Sequence, residues 1–311
     1  MSQATGSATG RAPFGVRLDA AVRARGRLCV GIDPHPGLLA AWGLSDDAAG
    51  LESFALTVVD ALGEQVAVLK PQLAFFERHG SRGTAVLERV LAAAADAGVL
   101  TIADAKRADI GSTMAAYADA YLGEGSPLAA DAVTVSPYLG FGSLLPALQR
   151  ARATGRGVFV LVLTSNPEGA QVQHARTADG STVAQALLDA VRAENTADPA
   201  LVADGERTGS FGVVIGATVG DVAELVPRLD VGGPILAPGI GAQGGVAEDL
   251  RRVFGAALPR VLPSASREVL LAGAASDTPA ARGAALRAAA ERLLDAVTGV
   301  LDAAGRSDRP D

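Results

Sequence analysis

Short apolar segments rich in β-branched residues alternate with longer alanine-rich segments along most of the chain. Apolar runs of about four to eight residues are typical of buried strands, and longer segments with helical spacing are typical of amphipathic helices. Strands are predicted over 28–32, 67–70, 100–104, 132–135, 158–163, 212–215, 235–237 and 261–263. Helices are predicted over 50–63, 84–97, 112–122, 143–153, 181–195, 219–226, 246–253 and 279–304.

This succession of eight βα units predicts an α/β fold, a closed (β/α)8 TIM barrel. A doubly wound open sheet is the alternative, but it usually has a glycine-rich turn after its first strand, where this chain has Asp33-Pro34-His35-Pro36. We expect one barrel domain over 13–304, disordered tails over 1–12 and 305–311, and surface loops over 198–209 and 272–278.

Composition and charge narrow the function classes. The 311 residues are 49% hydrophobic and 20% charged, as in a soluble globular protein. A net charge of -7 argues against nucleic-acid binding, although a few cations focused in a cleft could still bind a small anion. The first ten residues lack the apolar core of a signal peptide, and no apolar run approaches the length of a membrane span, so a cytoplasmic protein without membrane contact is expected. The single cysteine, Cys29, lies in a predicted strand and is expected to be a buried thiol.

Charged residues follow three successive predicted strands. Lys70 ends the second strand and Asp33 follows the first, while Asp104 and Lys106, two positions apart, should point to the same side of the third. Active sites of barrels collect at the carboxyl ends of the strands. Each residue alone could be a solvated loop charge or part of a surface ion pair. Charges at neighbouring strand ends are costly to desolvate unless paired, so together they favour a functional array.

Weaker signals lie at the same rim. A glycine-rich loop over 237–245 follows strand seven and could bind an anion through its backbone, although such loops are often plain turns. Three more polar residues follow predicted strands and could contact a ligand. Each also has a plain structural role open to it: Arg267 after strand eight could be a surface cation, Ser136 after strand four a backbone cap, and Asn166 after strand five a turn residue. The remaining candidates are not expected to do chemistry: the three histidines, including His35, lack metal-ligand spacing, and Trp42, Phe75 and Phe76 are expected to pack in the core.

The motif Asp104-x-Lys106-x-x-Asp109-Ile110, with Asp33 and Lys70 in earlier strands, resembles the central motif of the orotidine 5'-monophosphate decarboxylases. The resemblance extends over about 28–270, and segments 71–77, 136–140 and 164–169 resemble the longer, type 2 subgroup. Two positions depart from the pattern. Ala108 and Ser266 stand where that family commonly has glycine, so the backbone at residue 108 should accept a Cβ and the Ser266 hydroxyl could replace a backbone contact to phosphate.

The resemblance implies a cofactor-free, metal-free enzyme that converts the nucleotide orotidine 5'-monophosphate to uridine 5'-monophosphate and CO2 in pyrimidine biosynthesis. Lys106 would stabilise and protonate a carbanion at C6, within an array completed by Lys70, Asp104 and Asp109. It also implies a homodimer in which Asp109, Ile110 and Thr113 reach the partner's site. Gln243 would bridge phosphate and pyrimidine, and Arg267 would grip the phosphate. The implied substrate-binding residues are Asp33, Ile110, Thr113, Ser136, Asn166, Pro238, Gly239, Gly241, Gln243, Ser266 and Arg267.

Two other functions stay open at this point. Metal-dependent decarboxylases and aldol enzymes of phosphosugars have a similar Asp-x-Lys-x-x-Asp rim and would hold Mg2+ on the carboxylates. A barrel that has lost catalysis could also serve as a ligand-binding scaffold, because fold does not determine function. The second lysine, Lys70, and the Gln243 loop favour the pyrimidine nucleotide.

Overall fold

A computed structural model describes residues 10–197, 208–220, 222–240, 245–276 and 278–307. Eight parallel strands pair in chain order and close into one barrel, which confirms the predicted fold. All eight predicted strands are present, with ends shifted by a few residues. The strands are β1 Cys29–Ile32, β2 Val68–Pro71, β3 Leu100–Arg107, β4 Ala132–Val135, β5 Gly157–Leu163, β6 Phe211–Ile215, β7 Ile235–Pro238 and β8 Val261–Ala265.

Helices surround the barrel and connect its strands. They are α1 Phe14–Arg25, α2 Pro36–Ala41, α3 Ala48–Leu62, α4 Leu73–Glu77, α5 Gly80–Asp96, α6 Gly111–Leu122, α7 Leu145–Thr154, α8 Ala170–Gln173, α9 Val183–Thr196, α10 Val222–Leu225, α11 Ala247–Phe254, α12 Arg267–Leu271 and α13 Pro279–Ser307. Every predicted helix has a counterpart here, whereas α1, α2, α4, α8 and α12 were not predicted. Helix α13 continues to Ser307, three residues into the segment expected to be a tail, and residues 308–311 lie outside the described residues. Residues 1–9 and most of the predicted loop over 198–209 lie outside the described residues, and the loop over 272–278 contains the 3-10 turn Ala272–Ala275.

Two apolar clusters hold the structure together. One fills the barrel interior, where Phe14 and Leu18 of α1 pack against strand residues such as Phe159 and thereby close the amino-terminal end. The Phe14 and Phe159 rings meet edge to face, 5.9 Å apart. Arg17 of α1 also pairs with Asp131, whose other oxygen accepts from the backbone N–H of Thr101 at 2.9 Å. Helix α1 is therefore part of the barrel core.

The second, larger cluster lies between the strands and the outer helices. Trp42 is buried against Phe54, with ring centroids 4.2 Å apart, and its indole N–H donates to the Leu270 carbonyl at 2.9 Å. Burying one such aromatic side chain contributes about 1.5–3 kcal/mol. Trp42, Phe76 and Cys29 are buried, as predicted. Phe75 differs, because it lines the central cavity described below.

Among the helices described, none combines the length and apolar character that crossing a membrane would require.

Candidate active site

The inward-facing side chains of the barrel change from apolar to polar towards the carboxyl ends of the strands. In β2, Val68 belongs to the interior cluster and Lys70, two residues later, lines a cavity of about 630 Å³. In β3 the same step leads from Ile102 to Asp104, and in β4 from Ala132 to Thr134. The two-residue period of a strand explains this arrangement, because residues i and i+2 share a face. The strands therefore place polar groups together above an apolar floor.

Asp104 is the centre of this polar group. Its Oδ2 accepts from Lys70 Nζ at 2.9 Å and from the Gln72 amide at 3.0 Å. Its Oδ1 accepts from Lys106 Nζ at 2.6 Å and from the Thr134 hydroxyl at 2.8 Å. An ionised carboxylate offers about four acceptor positions, so the Asp104 carboxylate is fully satisfied. Gln72 and Thr134 were not predicted as site residues.

The charges of Asp104 and Lys70 stabilise each other. Burial disfavours both ionised forms, yet the attraction of Lys70 and Lys106 outweighs it and holds the pKa of Asp104 well below its usual range. In the same way, burial opposes the charge on Lys70, but Asp104, together with Asp33, raises the pKa of Lys70 above its ordinary value. Both groups are thus ionised at neutral pH.

Lys70 and Lys106 are the only two lysines among the 311 residues; every other basic side chain apart from histidine is arginine. The two differ in exposure, since the side chain of Lys70 is 8% exposed and that of Lys106 is 45% exposed. Lys70 is therefore locked under Asp104, whereas Lys106 presents its ammonium group to the cavity that both lysines line. A lysine can lose its proton to a substrate, which an arginine does not do in proteins.

The backbone at Lys106 is unusual. Among the described residues, Lys106 is the only non-glycine residue with a positive φ, 49°. It lies where the pairing of β3 with β4 shifts register between Ala103 and Arg107, as in a β-bulge. Such conformations concentrate at functional sites and persist only where the surroundings enforce them. Ala108, two residues later, has no positive φ, which confirms that its backbone accepts a Cβ.

A second polar group lines the cavity at β1 and β8. The Ser266 hydroxyl donates to Asp33 Oδ2. Asp33 Oδ1 and His35 Nε2 are buried and have no hydrogen-bond partner among the described residues. Both atoms are therefore free to bind a polar ligand, and His35, expected to be a plain loop residue, belongs to the cavity wall.

Basic and backbone groups at β7 and β8 border the same cavity. Arg267 begins helix α12 two residues after the last residue of β8, Pro238 is the last residue of β7, and Gly239 follows it. Gly239 has φ 109°, a conformation that glycine adopts easily and that would strain other residues. These residues occupy the place where barrels commonly bind phosphate. Gly241 and Gln243 lie outside the described residues.

Of the two residues predicted to contact a ligand after β4 and β5, one lines the cavity and the other does not. Asn166 lines the cavity, beside Thr164 and Ser165. The amide of Asn166 accepts from the Thr164 hydroxyl at 2.7 Å. Ser136 does not line the cavity, because it stands one residue beyond β4 and its backbone N–H continues the pairing to the Arg107 carbonyl at 2.9 Å. The serine that lines the cavity is Ser165, and Ser136 stays a predicted contact to the substrate.

The remaining predicted residues, Asp109, Ile110 and Thr113, do not line the cavity of their own chain. Asp109 accepts from the backbone N–H of Ile110 at 2.8 Å, and the Ile110 side chain is 63% exposed. Tyr138 and Leu139 of the next loop are also exposed. Separately, no group of three or more His, Cys, Asp or Glu side chains suited to a metal ion occurs among the residues described.

An eight-stranded barrel with a Lys-Asp-Lys array and a basic rim at its carboxyl end has the architecture of an enzyme that acts on a small anionic substrate. The sequence profile of the orotidine 5'-phosphate decarboxylase / HUMPS family matches residues 26–281, and the chain belongs to this family.

Individual relatives agree with this assignment. The orotidine 5'-phosphate decarboxylase of Salinispora arenicola is 60% identical over 281 residues, which cover 90% of this chain and 95% of the relative. That of Streptomyces coelicolor is 57% identical, covering 92% of this chain and 99% of the relative. Among solved structures, a Streptomyces avermitilis protein assigned as an orotidine 5'-phosphate decarboxylase has a TM-score of 0.87 and 55% identity, covering 97% of this chain and 100% of the other.

Proposed function

We propose that this protein decarboxylates orotidine 5'-monophosphate to uridine 5'-monophosphate and CO2 in pyrimidine biosynthesis. The observation that carries the proposal is the Lys70-Asp104-Lys106 array, with Asp104 accepting four hydrogen bonds below a cavity of about 630 Å³. The similarity to decarboxylases at about 60% identity supports the same activity. A cytoplasmic location is part of the proposal, because a nucleotide precursor is made and used inside the cell.

Loss of CO2 from C6 of the pyrimidine leaves an electron pair in the plane of the ring, where the ring carbonyls cannot delocalise it. A cation must therefore meet this charge directly. In the proposed step the bond between C6 and the carboxylate breaks, the electron pair stays on C6, and Lys106 Nζ transfers a proton to it. Neutral Lys106 then regains a proton from solvent. Asp104 holds the ammonium group in place, and Lys70 balances the charge of Asp104 from below.

The nucleotide would span the cavity from the array to the rim. Asp33 Oδ1 is available for a ribose hydroxyl. Ser165 and Asn166 line the cavity and, with Ser136 just beyond the end of β4, would contact the edge of the pyrimidine. Arg267 would bind the phosphate as a two-pronged donor, helped by the backbone after Pro238 and Gly239. Ser266, Gly241 and Gln243 complete the proposed phosphate side. No cofactor or metal ion is part of the proposed reaction.

The site is proposed to be shared between the two subunits of a homodimer. Asp109, Ile110 and Thr113 lie outside the cavity of their own chain. Ile110 follows β3, Tyr138 and Leu139 follow the neighbouring strand β4, and all three are exposed. A cluster of exposed apolar groups beside a site is typical of an interaction surface. In the dimer, Asp109 would approach Lys106 of the other subunit and complete the array.

The activity is tested by following the ultraviolet absorbance of orotidine 5'-monophosphate with purified protein in excess EDTA. Wild type should convert the nucleotide, and Lys106→Ala should be slower by roughly 1,000-fold or more, since it removes both the charge and the proton donor. Arg89→Ala is the matched control, because it removes a cation from an exposed ion pair with Glu52 outside the cavity. Absence of conversion by a folded wild type would contradict the proposal. An aldol reaction on a phosphosugar that needs Mg2+ would then replace it.

Subunit mixing tests the shared site. Lys106→Ala and Asp109→Ala homodimers should both be inactive, but random mixing of their subunits makes half of the dimers mixed, each with one intact site. Activity should then recover to roughly a quarter of wild type. If Asp109 served its own chain, each site in the mixed dimers would still lack one group, and activity would not recover.

A further inference from the structure

We propose that Thr134 is a positioning residue that holds Lys106 in its left-handed backbone conformation and directs its ammonium group. The Thr134 hydroxyl accepts from the backbone N–H of Lys106 at 3.0 Å and donates to Asp104 Oδ1 at 2.8 Å. Lys106 Nζ binds the same Asp104 oxygen at 2.6 Å. The three residues therefore form a closed ring of hydrogen bonds.

The direction of these bonds is fixed by chemistry. An ionised carboxylate only accepts, so the single proton of the Thr134 hydroxyl points to Asp104. The oxygen of that hydroxyl is then left as an acceptor, which matches the backbone N–H of Lys106. The low pKa of Asp104 keeps this carboxylate ionised, so the polarity of the ring does not reverse near neutral pH.

The ring counteracts the strain at Lys106. A positive φ costs free energy for a residue with a Cβ, and the register shift in β3 takes the N–H of Lys106 away from a regular ladder bond. Thr134 supplies the missing acceptor. Without the hydroxyl, the N–H would lose its partner and Lys106 would relax towards an extended conformation, which moves Nζ away from its place over the cavity.

Packing does not explain the hydroxyl at this position. Thr134 is 1% exposed, and both of its neighbours in β4 are valines. Valine has nearly the same shape and would avoid burying a polar group. Packing alone therefore does not require threonine. The two hydrogen bonds to Lys106 and Asp104, in contrast, require a hydroxyl.

A direct test uses the two lysines of the chain. Protein labelled with 15N-lysine gives only two backbone amide signals, from Lys70 and Lys106, and the Lys70→Arg variant assigns them. In Thr134→Val, hydrogen exchange of the Lys106 amide should become about tenfold faster or more, while the Lys70 amide serves as the internal control. Unchanged exchange at Lys106 would overturn the proposal. Amide exchange is measured without turnover, so its result does not depend on the proposed decarboxylase activity. The kinetic test below does rest on that activity.

The kinetic test compares three variants with wild type. Thr134→Val should lower kcat roughly 30- to 100-fold with KM within about threefold, because the reacting group is displaced while the substrate contacts remain. Thr134→Ser keeps the hydroxyl and should retain most of the wild-type kcat. Thr134→Ala differs from the serine variant by one oxygen atom and should lose kcat as Thr134→Val does. If Thr134→Val does not fold, the Ser and Ala pair makes the same comparison. A rise in KM alone, equal activities of Ser and Ala, or a kcat of Thr134→Val near wild type would each overturn the proposal.

Discussion

Replacing Asp104 with asparagine should destabilise the folded protein strongly, although the shape of the side chain hardly changes. Asp104 is buried between two ammonium groups, and the side chain of its partner Lys70 is only 8% exposed. Asparagine carries no charge to balance the ammonium group of Lys70. Because both Asp104 oxygens accept hydrogen bonds, the asparagine NH2 group would also face donors on one side. Leaving one buried charge without its partner costs about 3–5 kcal/mol. With about 2–4 °C per kcal/mol for a domain of this size, Tm should fall by roughly 10 °C.

A second variant isolates the cause. Lys70→Met removes the buried cation and fills its volume, so the double variant with Asp104→Asn should be more stable than Asp104→Asn alone. The measurement is urea unfolding followed by circular dichroism, at one protein concentration because a dimer's stability depends on it. If the effects of the two single changes add within about 0.5 kcal/mol, the two charges are not coupled and the reasoning is refuted.

The pH dependence gives an independent check. The pKa of Asp104 is lower in the folded protein than in the unfolded chain, so its stabilisation is complete above the unfolded value of about 3.9 and is lost as pH falls through the folded value. The stability difference between wild type and Asp104→Asn should therefore be largest at neutral pH and should shrink below about pH 4. A difference that grows on acidification would contradict the role of this charge.

Three further outcomes follow from other contacts. The raised pKa of Lys70 means that its stabilisation is complete below the unfolded value of about 10.4 and is lost at higher pH, so wild type should lose its advantage over Lys70→Met in alkaline unfolding experiments. Burial raises the pKa of the Cys29 thiol to about 11, so a thiol reagent at pH 8 should not modify native protein but should react fully after unfolding in urea. A Cβ at Gly31 would meet Ser266 Cβ at 2.9 Å and Asp33 Oδ1 at 3.2 Å. Gly31→Ala should therefore cost about 1–3 kcal/mol of stability and raise KM for the nucleotide more than it lowers kcat. Equal KM values of wild type and variant in a steady-state assay would contradict this.

The strands were predictable because barrel strands buried on both faces are short apolar runs, and their charged ends mark the rim. This is why Lys70, Asp104 and Lys106 could be assigned to one site. Helix α1 was not predicted, since only a few of its residues, such as Phe14 and Leu18, are buried and its apolar stripe is short. Its role depends on contacts with β5 that are distant in sequence.

The site residues that were missed depend on three-dimensional details. Thr134 lies within an apolar run, where a threonine carries no signal of chemistry until its partners are known. The left-handed backbone of Lys106 is invisible in a sequence, because no glycine marks it. Ser136 and Ser165 both follow strands, and the sequence does not show that Ser165 lines the cavity. The unpartnered Nε2 of His35 could likewise not be predicted.

The use of lysine at only two positions has a practical consequence for handling this protein. Amine-directed reagents, such as activated esters used for immobilisation or dye coupling, can react only with the chain's α-amino group, with Lys106 and with the buried Lys70. Coupling through lysine would therefore inactivate the proposed enzyme at its own reacting group. A nucleotide bound in the cavity should shield Lys106 from such reagents, so coupling in its presence should preserve more activity than coupling without it.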